Sequence, residues 1–175
     1  MASLQLNQRD NYQIYVACLS SYNAGILHGR WIDAEQDAEG IQSAVDKLLA
    51  ESTEEPAEEW AIHDFDLGGA HIDEWERFET VATLARLLRE HGEVAAAVWN
   101  DLGNLEDTIY KLEEDYAGSF DKVSDWAYEF MHETMEIPSY LDHYIDYERF
   151  GRDMELGGDI DAYRVNGEFH IFWAR

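Results

Sequence analysis

Carboxylates dominate the groups in this chain that could do chemistry. There are 38 Asp and Glu against 12 Lys and Arg in 175 residues, a net charge of −26. The most regular of them lie in Asp121–Glu136, DKVSDWAYEFMHETME, where Asp121, Asp125, Glu129 and Glu133 recur every fourth residue and Glu136 follows. Val123, Trp126, Ala127, Phe130 and Met131 repeat between them with the spacing of one helix face. The segment therefore reads as an amphipathic helix packed on an aromatic stripe, showing water a ladder of carboxylates with a rung every ~6 Å. Like charges at i, i+4 cost roughly 0.2–0.5 kcal/mol per pair, so three consecutive pairs cost on the order of 1 kcal/mol. Glu133 and Glu136 also oppose the helix dipole. Such a ladder is either a solvated helix face or a charged binding surface.

Other constellations are weaker. Glu129-Phe-Met-His132 has the Glu-x-x-His spacing of di-iron bundles, which need two copies and two further glutamates, and the chain has one. Asp64-x-Asp66-x-Gly68-Gly69 begins like a calcium loop, but the twelfth position falls on Trp75, between Glu74 and Glu76. His28, His63, His71, His91, His132, His143 and His170 show no ligand spacing. Cys18 sits among apolar neighbours in an expected strand and reads as a small buried hydrophobe. Nucleophile-elbow, P-loop and dinucleotide-binding patterns are absent from the sequence. No catalytic constellation, metal or cofactor is therefore expected.

The acid excess is distributed. Asp33–Glu76 holds 15 acids and one base, and Asp101–Glu136 holds 11 acids and two bases. Repulsion on this scale favours solubility, opposes compaction, and argues against nucleic acid or anionic membrane as partners and for something basic. Six Trp, ten Tyr, seven Phe and 46% hydrophobic residues argue for a packed core rather than an acidic disordered chain. A single cysteine permits no intrachain disulfide. With no signal peptide or membrane-length apolar run in the sequence, a cytoplasmic location is expected.

The elements that would position these acids follow from periodicity and turn chemistry. Residues 1–11 are polar and expected to fray. Tyr12–Leu19 reads as a strand, Ser20–Gly25 as a turn and Ile26–Asp33 as the returning strand. Asp37 can cap a helix carrying Ile41, Ala44, Val45, Leu48 and Leu49 on one face, and Trp60–Phe65 reads as a third strand. After Gly68-Gly69, Asp73 and Glu76 resemble a capping box that opens a helix to about Glu90, with Phe78, Val81, Ala82, Ala85 and Leu88 inward. Glu93–Leu102, Leu105–Tyr116 and Asp121–Glu136 continue as helices, so residues 71–136 read as all helical. Pro138 introduces another helical stretch, SYLDHYIDYERFGRDME, with a break at Gly151. Asn166-Gly167 between Asp159–Val165 and Glu168–Trp173 predicts a hairpin across a type I′ turn. The fold class expected is α+β: an N-terminal three-stranded antiparallel sheet with a helix, a helical middle, and a C-terminal unit of helices and a small antiparallel sheet. Expected domain bounds are 1–70, 71–104 and 105–175.

Three separated blocks carry a family resemblance. Tyr15–Gly25 with His28–Asp33, then Glu59–Asp66, then Ile137–Leu141 running into Tyr144–Asp153, resemble the ArdA antirestriction proteins. The resemblance spans about 12–173 and includes the acidity; residues 70–120 share character rather than motif. It implies a non-enzymatic DNA mimic carried by mobile elements, an elongated homodimer of three small domains per chain. Its carboxylates would imitate duplex phosphates and occupy the DNA groove of type I restriction–modification enzymes, on the methyltransferase core with its specificity subunit, blocking restriction and often modification.

On this reading a dimer carries 2 × 26 = 52 net negative charges, equal to the phosphate charge of ~26 base pairs. The expected mimic surface comprises Asp33, Glu35, Asp64, Asp66, Asp73, Glu74, Glu76, Glu106, Asp107, Glu113, Glu114, Asp115, Asp121, Asp125, Glu129 and Glu133. The resemblance assigns Tyr144, Tyr147, Phe150, Gly151, Arg152 and Asp153 to an antirestriction motif near the dimer contact; local core packing around a helix break is the alternative. Arg149 and Arg152 are expected to pair with local acids or the twin subunit. Two other classes stay open: an acid-coated halophilic-type protein, which would need molar salt to fold, and a calcium-buffering protein, which chelation would expose.

Overall fold

The computed structural model describes residues 11–174. The frayed start expected over 1–11 therefore lies, for residues 1–10, outside the described residues. The architecture is α+β, with two three-stranded antiparallel sheets. The chain divides into two compact units, Met1–Leu105 and Glu106–Arg175.

In the first unit, β1 (Gln13–Cys18) is the central strand, flanked by β2 (Gly29–Asp33) and β3 (Trp60–Asp66). Alternation puts Ile14, Val16 and Cys18 on the buried face. Helix α2 (Ala38–Ala50) adds Ile41, Val45 and Leu48 to the core. Asp37 caps it as expected, its carboxylate accepting the Gly40 N–H at 2.7 Å. Helices α3 (Phe78–His91) and α4 (Glu93–Leu102) complete the unit, with Val81, Leu84, Ala85, Leu87, Leu88, Ala95 and Val98 fully or almost fully buried. Gly103, in the left-handed region at φ 60°, ends α4.

In the second unit, α5 (Leu105–Glu114) leads into β4 (Tyr116–Phe120), followed by α6 (Val123–Thr134), α7 (Ser139–Asp142), α8 (Tyr147–Gly157), β5 (Ile160–Val165) and β6 (Glu168–Trp173). The sheet order is β4-β6-β5. The Asn166-Gly167 hairpin forms, with φ of 52° and 95° at the two turn residues and Val165 opposite Glu168. One face of this sheet, through Ile160, Ile171, Phe169 and Trp173, packs with Trp126, Ala127 and Phe130 of α6 and Phe150 and Met154 of α8.

Several elements differ from the sequence reading. Ser20–Gly25 is not a simple turn: α1 (Leu19–Asn23) forms there, closed by Ala24 N–H to Ser20 and Ile26 N–H to Ser21, and β2 begins only at Gly29. The Asp73/Glu76 capping box does not form. The Glu74 carbonyl accepts the Ile62 N–H at 2.9 Å, tying this segment to the edge of β3, and α3 starts at Phe78 with no side-chain cap. Residues 71–136 are not all helical, because 116–120 form β4. That strand exists through pairing with β6, about fifty residues away, and Gly118 at φ 120° accommodates the register shift. Helix α6 is shorter than Asp121–Glu136. Lys122 and Met135 are both extended and bound it. The stretch after Pro138 is two helices, because Asp146 leaves helical geometry to cap α8 through the Arg149 N–H at 2.9 Å.

Candidate functional site

The acid ladder keeps three rungs on one helix. Asp125, Glu129 and Glu133 are exposed along α6, while Trp126 and Ala127 on the opposite side are buried. Trp126 stacks on Phe130 at 5.2 Å and meets Trp173 edge-on at 5.8 Å, so the helix carrying the acids is anchored by aromatic packing. Asp121 is exposed but precedes the helix, and Glu136 follows it. Asp125 lies in the first turn, where the dipole favours an anion; Glu133 lies at the disfavoured end. Helix α5 carries Glu106 and Asp107 in its first turn and Glu113 and Glu114 near its end, all exposed. Asp115 is different. It is buried to 4% exposure where α5 gives way to β4, and its carbonyl accepts the Trp173 N–H. It does not belong to the exposed set.

The first unit groups its acids on a sheet face. Gln13 is paired with Asp33 on one side and Asp66 on the other. Two residues along, Tyr15 is paired with Trp31 and Asp64. By strand alternation, Asp33, Asp64, Asp66, Tyr15 and Trp31 share the face opposite the Ile14–Val16 core. Asp64 and Asp66 thus lie on a strand, not in the calcium-loop geometry that their spacing resembles. Asp73 and Glu74 are exposed and Glu76 half-buried in the segment after β3. Asp73 and Glu76 border a shallow depression with Trp99 and Asn100, where the Trp99 indole donates to the His71 carbonyl at 2.6 Å.

Glu35 is committed internally. Arg89 donates to its two carboxylate oxygens at 2.6 and 2.5 Å, and the Tyr12 N–H adds a third bond at 3.3 Å. The Arg89 guanidinium holds the Glu35 carboxyl below the usual carboxylate range, and Glu35 raises Arg89 in return. Other cations also pair within their own unit: Arg30 with Glu51, Arg86 with Glu90, Lys111 with Asp161, and Arg149 with Asp153. The local pairing expected of Arg149 is thus present, at 3.6 Å.

The 144–153 segment divides by burial. Tyr144 is 85% exposed, and Arg152 and Asp153 are exposed on α8. Phe150 faces the unit's own core. Gly151 is inside α8 rather than at a break. A Cβ there would stand 3.0 Å from a Val123 methyl and 3.2 Å from the Val123 carbonyl oxygen, so glycine permits the close approach of α8 to α6. The Tyr147 hydroxyl donates to Asp142, and burial together with that bond pushes its pKa up to about 12. His132 Nε2 lies 3.4 Å from the same carboxylate. The clasp of Asp142, Tyr147 and His132 joins α7 to α6 and α8. Sequence spacing did not reveal it, nor the pairing of exposed Trp31 with half-buried Tyr15 on the sheet. Period-two alternation in the strands was the signal available for the latter.

Cys18 is fully buried and near Ser52 at 3.7 Å, as a small core residue would be. Among the described residues no group of three or more His, Cys, Asp or Glu is placed to hold a metal, and no helix is long and apolar enough to cross a membrane. The model of one protein family, described as Antirestriction protein (ArdA), matches residues 14–166. Comparison with curated proteins finds no match.

Proposed function

Because the chain belongs to the ArdA antirestriction family, whose activity is directed at restriction–modification enzymes, we propose that it acts as a DNA mimic against type I enzymes. In this reading the exposed carboxylates occupy the DNA groove of the methyltransferase core with its specificity subunit, blocking restriction and modification without catalysis or cofactor. The observation that carries it is the anchoring of exposed acids on packed elements: Asp125, Glu129 and Glu133 on α6, and Asp33 and Asp64 on the N-terminal sheet, beside the half-buried Asp66. A groove built for a stiff duplex rewards charges held in fixed places, which packed elements supply and a flexible acidic tail does not.

One helix is not enough. Three rungs ~6 Å apart span ~12 Å, over which duplex DNA presents ~7 charges. The reading therefore requires acids from both units: Glu106, Asp107, Glu113, Glu114 and Asp121, with Asp73, Glu74 and Glu76. We further propose that 1–70, 71–104 and 105–175 act as successive domains of a cytoplasmic homodimer. Exposed Tyr144, Arg152 and Asp153 would form its contact, shaped from beneath by Phe150 and Gly151.

The test is competition. The protein is titrated into a type I restriction–modification enzyme with its target DNA at two salt concentrations, following complex and cleavage. Near-stoichiometric displacement of DNA that weakens as salt rises is the expected result. No displacement at any dose removes that enzyme class as the target.

A further inference from the structure

Phosphate imitation needs carboxylates, yet the outer face of the N-terminal sheet also presents aromatic rings. Register places Tyr15 between Trp31 and Asp64, and the next pair along β2 and β1 brings in Asp33. Trp31 is 44% exposed, and Tyr15 packs against it edge-on at 5.5 Å with an interplanar angle of 63°. Gly29 makes room for the Tyr15 ring: a Cβ there would lie 2.6 Å from the hydroxyl. The indole therefore stands on an outer strand of the sheet, held by a second ring, with Asp33 two residues along the same strand and Asp64 on the far side of Tyr15. Asp64 is exposed, and among the described residues no cation lies within ion-pair distance of it. Asp33 accepts the Glu35 N–H at 2.9 Å and lies in the field of Arg89, leaving its other oxygen for an incoming donor.

These are the components that bind a guanidinium. Indole is the strongest of the side-chain rings toward a cation. Arginine, unlike lysine, stacks its plane on a ring while presenting a fork of donors to a carboxylate. The same unit uses this chemistry internally, with the Arg89 guanidinium 5.1 Å from the Tyr12 ring centre and forked onto Glu35.

We propose that Trp31 and Tyr15, with Asp64 and Asp33, form a receptor for an arginine side chain on the basic, DNA-binding face of the restriction enzyme. This rests on the mimicry proposed above and adds to it a contact that duplex phosphates do not make. Such a contact separates two parts of the affinity. Carboxylate–cation attraction falls with salt, whereas ring stacking persists. It also favours arginine over lysine at equal charge, because a guanidinium stacks on the ring and forks onto a carboxylate at once, whereas an ammonium does not.

The experiment titrates hexa-arginine and hexa-lysine peptides into the full chain, following indole N–H signals by NMR with Trp31 assigned from Trp31→Phe. Expected are tighter binding of hexa-arginine than of hexa-lysine, the largest indole shift at Trp31, and loss of the arginine preference in Trp31→Ala. Equal binding of the two peptides by the wild-type chain overturns the proposal without recourse to any variant, and an unmoved Trp31 signal in the wild-type chain does the same. A preference retained in a folded Trp31→Ala overturns it as well. Failure to displace DNA from a type I enzyme would instead count against the mimicry, and the peptide result would stand apart from it.

Discussion

A carboxylate in this protein acts according to what stands beside it, and Glu35 and Asp64 show the two cases. Both come from acid-rich stretches of the sequence, and composition alone does not separate them. Glu35 is neutralised by Arg89 from fifty-four residues away, a partner that no local pattern predicts. Asp64 accepts its neighbour's N–H at 2.8 Å and stays exposed on the sheet. Asp115 was unreadable for a similar reason: its burial depends on the chain turning from α5 into β4. The Asp37 cap was readable because a cap needs only the next turn of backbone. The Glu35 pair has a pH consequence. Its folded pKa is lowered, so its contribution to stability is fully present above the ordinary carboxylate range. That contribution is lost as pH falls through the lowered folded value. Glu35→Gln is expected to lower the melting temperature at neutral pH and to flatten its decline toward acid. An acid limb and melting temperature identical to wild type would show that the pair adds nothing to stability.

At the scale of elements, local signals succeeded where each element satisfies itself and failed where it depends on a distant partner. The terminal hairpin carries its register in its own Asn-Gly turn. The body of α6 carries its own aromatic stripe. Strand β4 does not: Tyr-Ala-Gly-Ser-Phe has little β character, and β6 supplies its hydrogen bonds. Gly151 shows the same limit, since a glycine in a helical pattern reads as a break until Val123 is found against it. Helix α6 gives the clearest separation of stability from function. Asp125–Glu129 and Glu129–Glu133 are two like-charged i, i+4 pairs, which together cost roughly 0.4–1 kcal/mol. Changing Asp125, Glu129 and Glu133 to Asn, Gln and Gln is expected to leave unfolding free energy unchanged or up to ~1 kcal/mol higher, while inhibition of the target enzyme weakens. Denaturant melts and competition titrations on the same preparation check both halves. A less stable protein with full inhibition would make the ladder structural and move the mimic surface elsewhere.

For the whole molecule, 26 unbalanced negative charges set two salt responses against each other. Screening at physiological ionic strength has a reach of about 8 Å, comparable to the ~6 Å spacing of the α6 rungs, so added salt relieves repulsion within the folded chain. The same screening weakens attraction to a basic groove. A halophilic-type protein shares the first response but needs molar salt to fold at all. Here the internal pairing of Arg30, Arg86, Arg89, Lys111 and Arg149, with buried cores in both units, supports folding in dilute buffer. The expected outcome is a cooperative melt at low ionic strength, a melting temperature that rises modestly with salt, and inhibition that falls over the same range. Adding a chelator should change none of these. A chain unfolded until molar salt would favour the halophilic reading, and a melt that collapses on chelation would favour calcium. Opposite slopes for stability and inhibition, measured in one salt series, are what a folded array of fixed negative charge facing a basic partner requires.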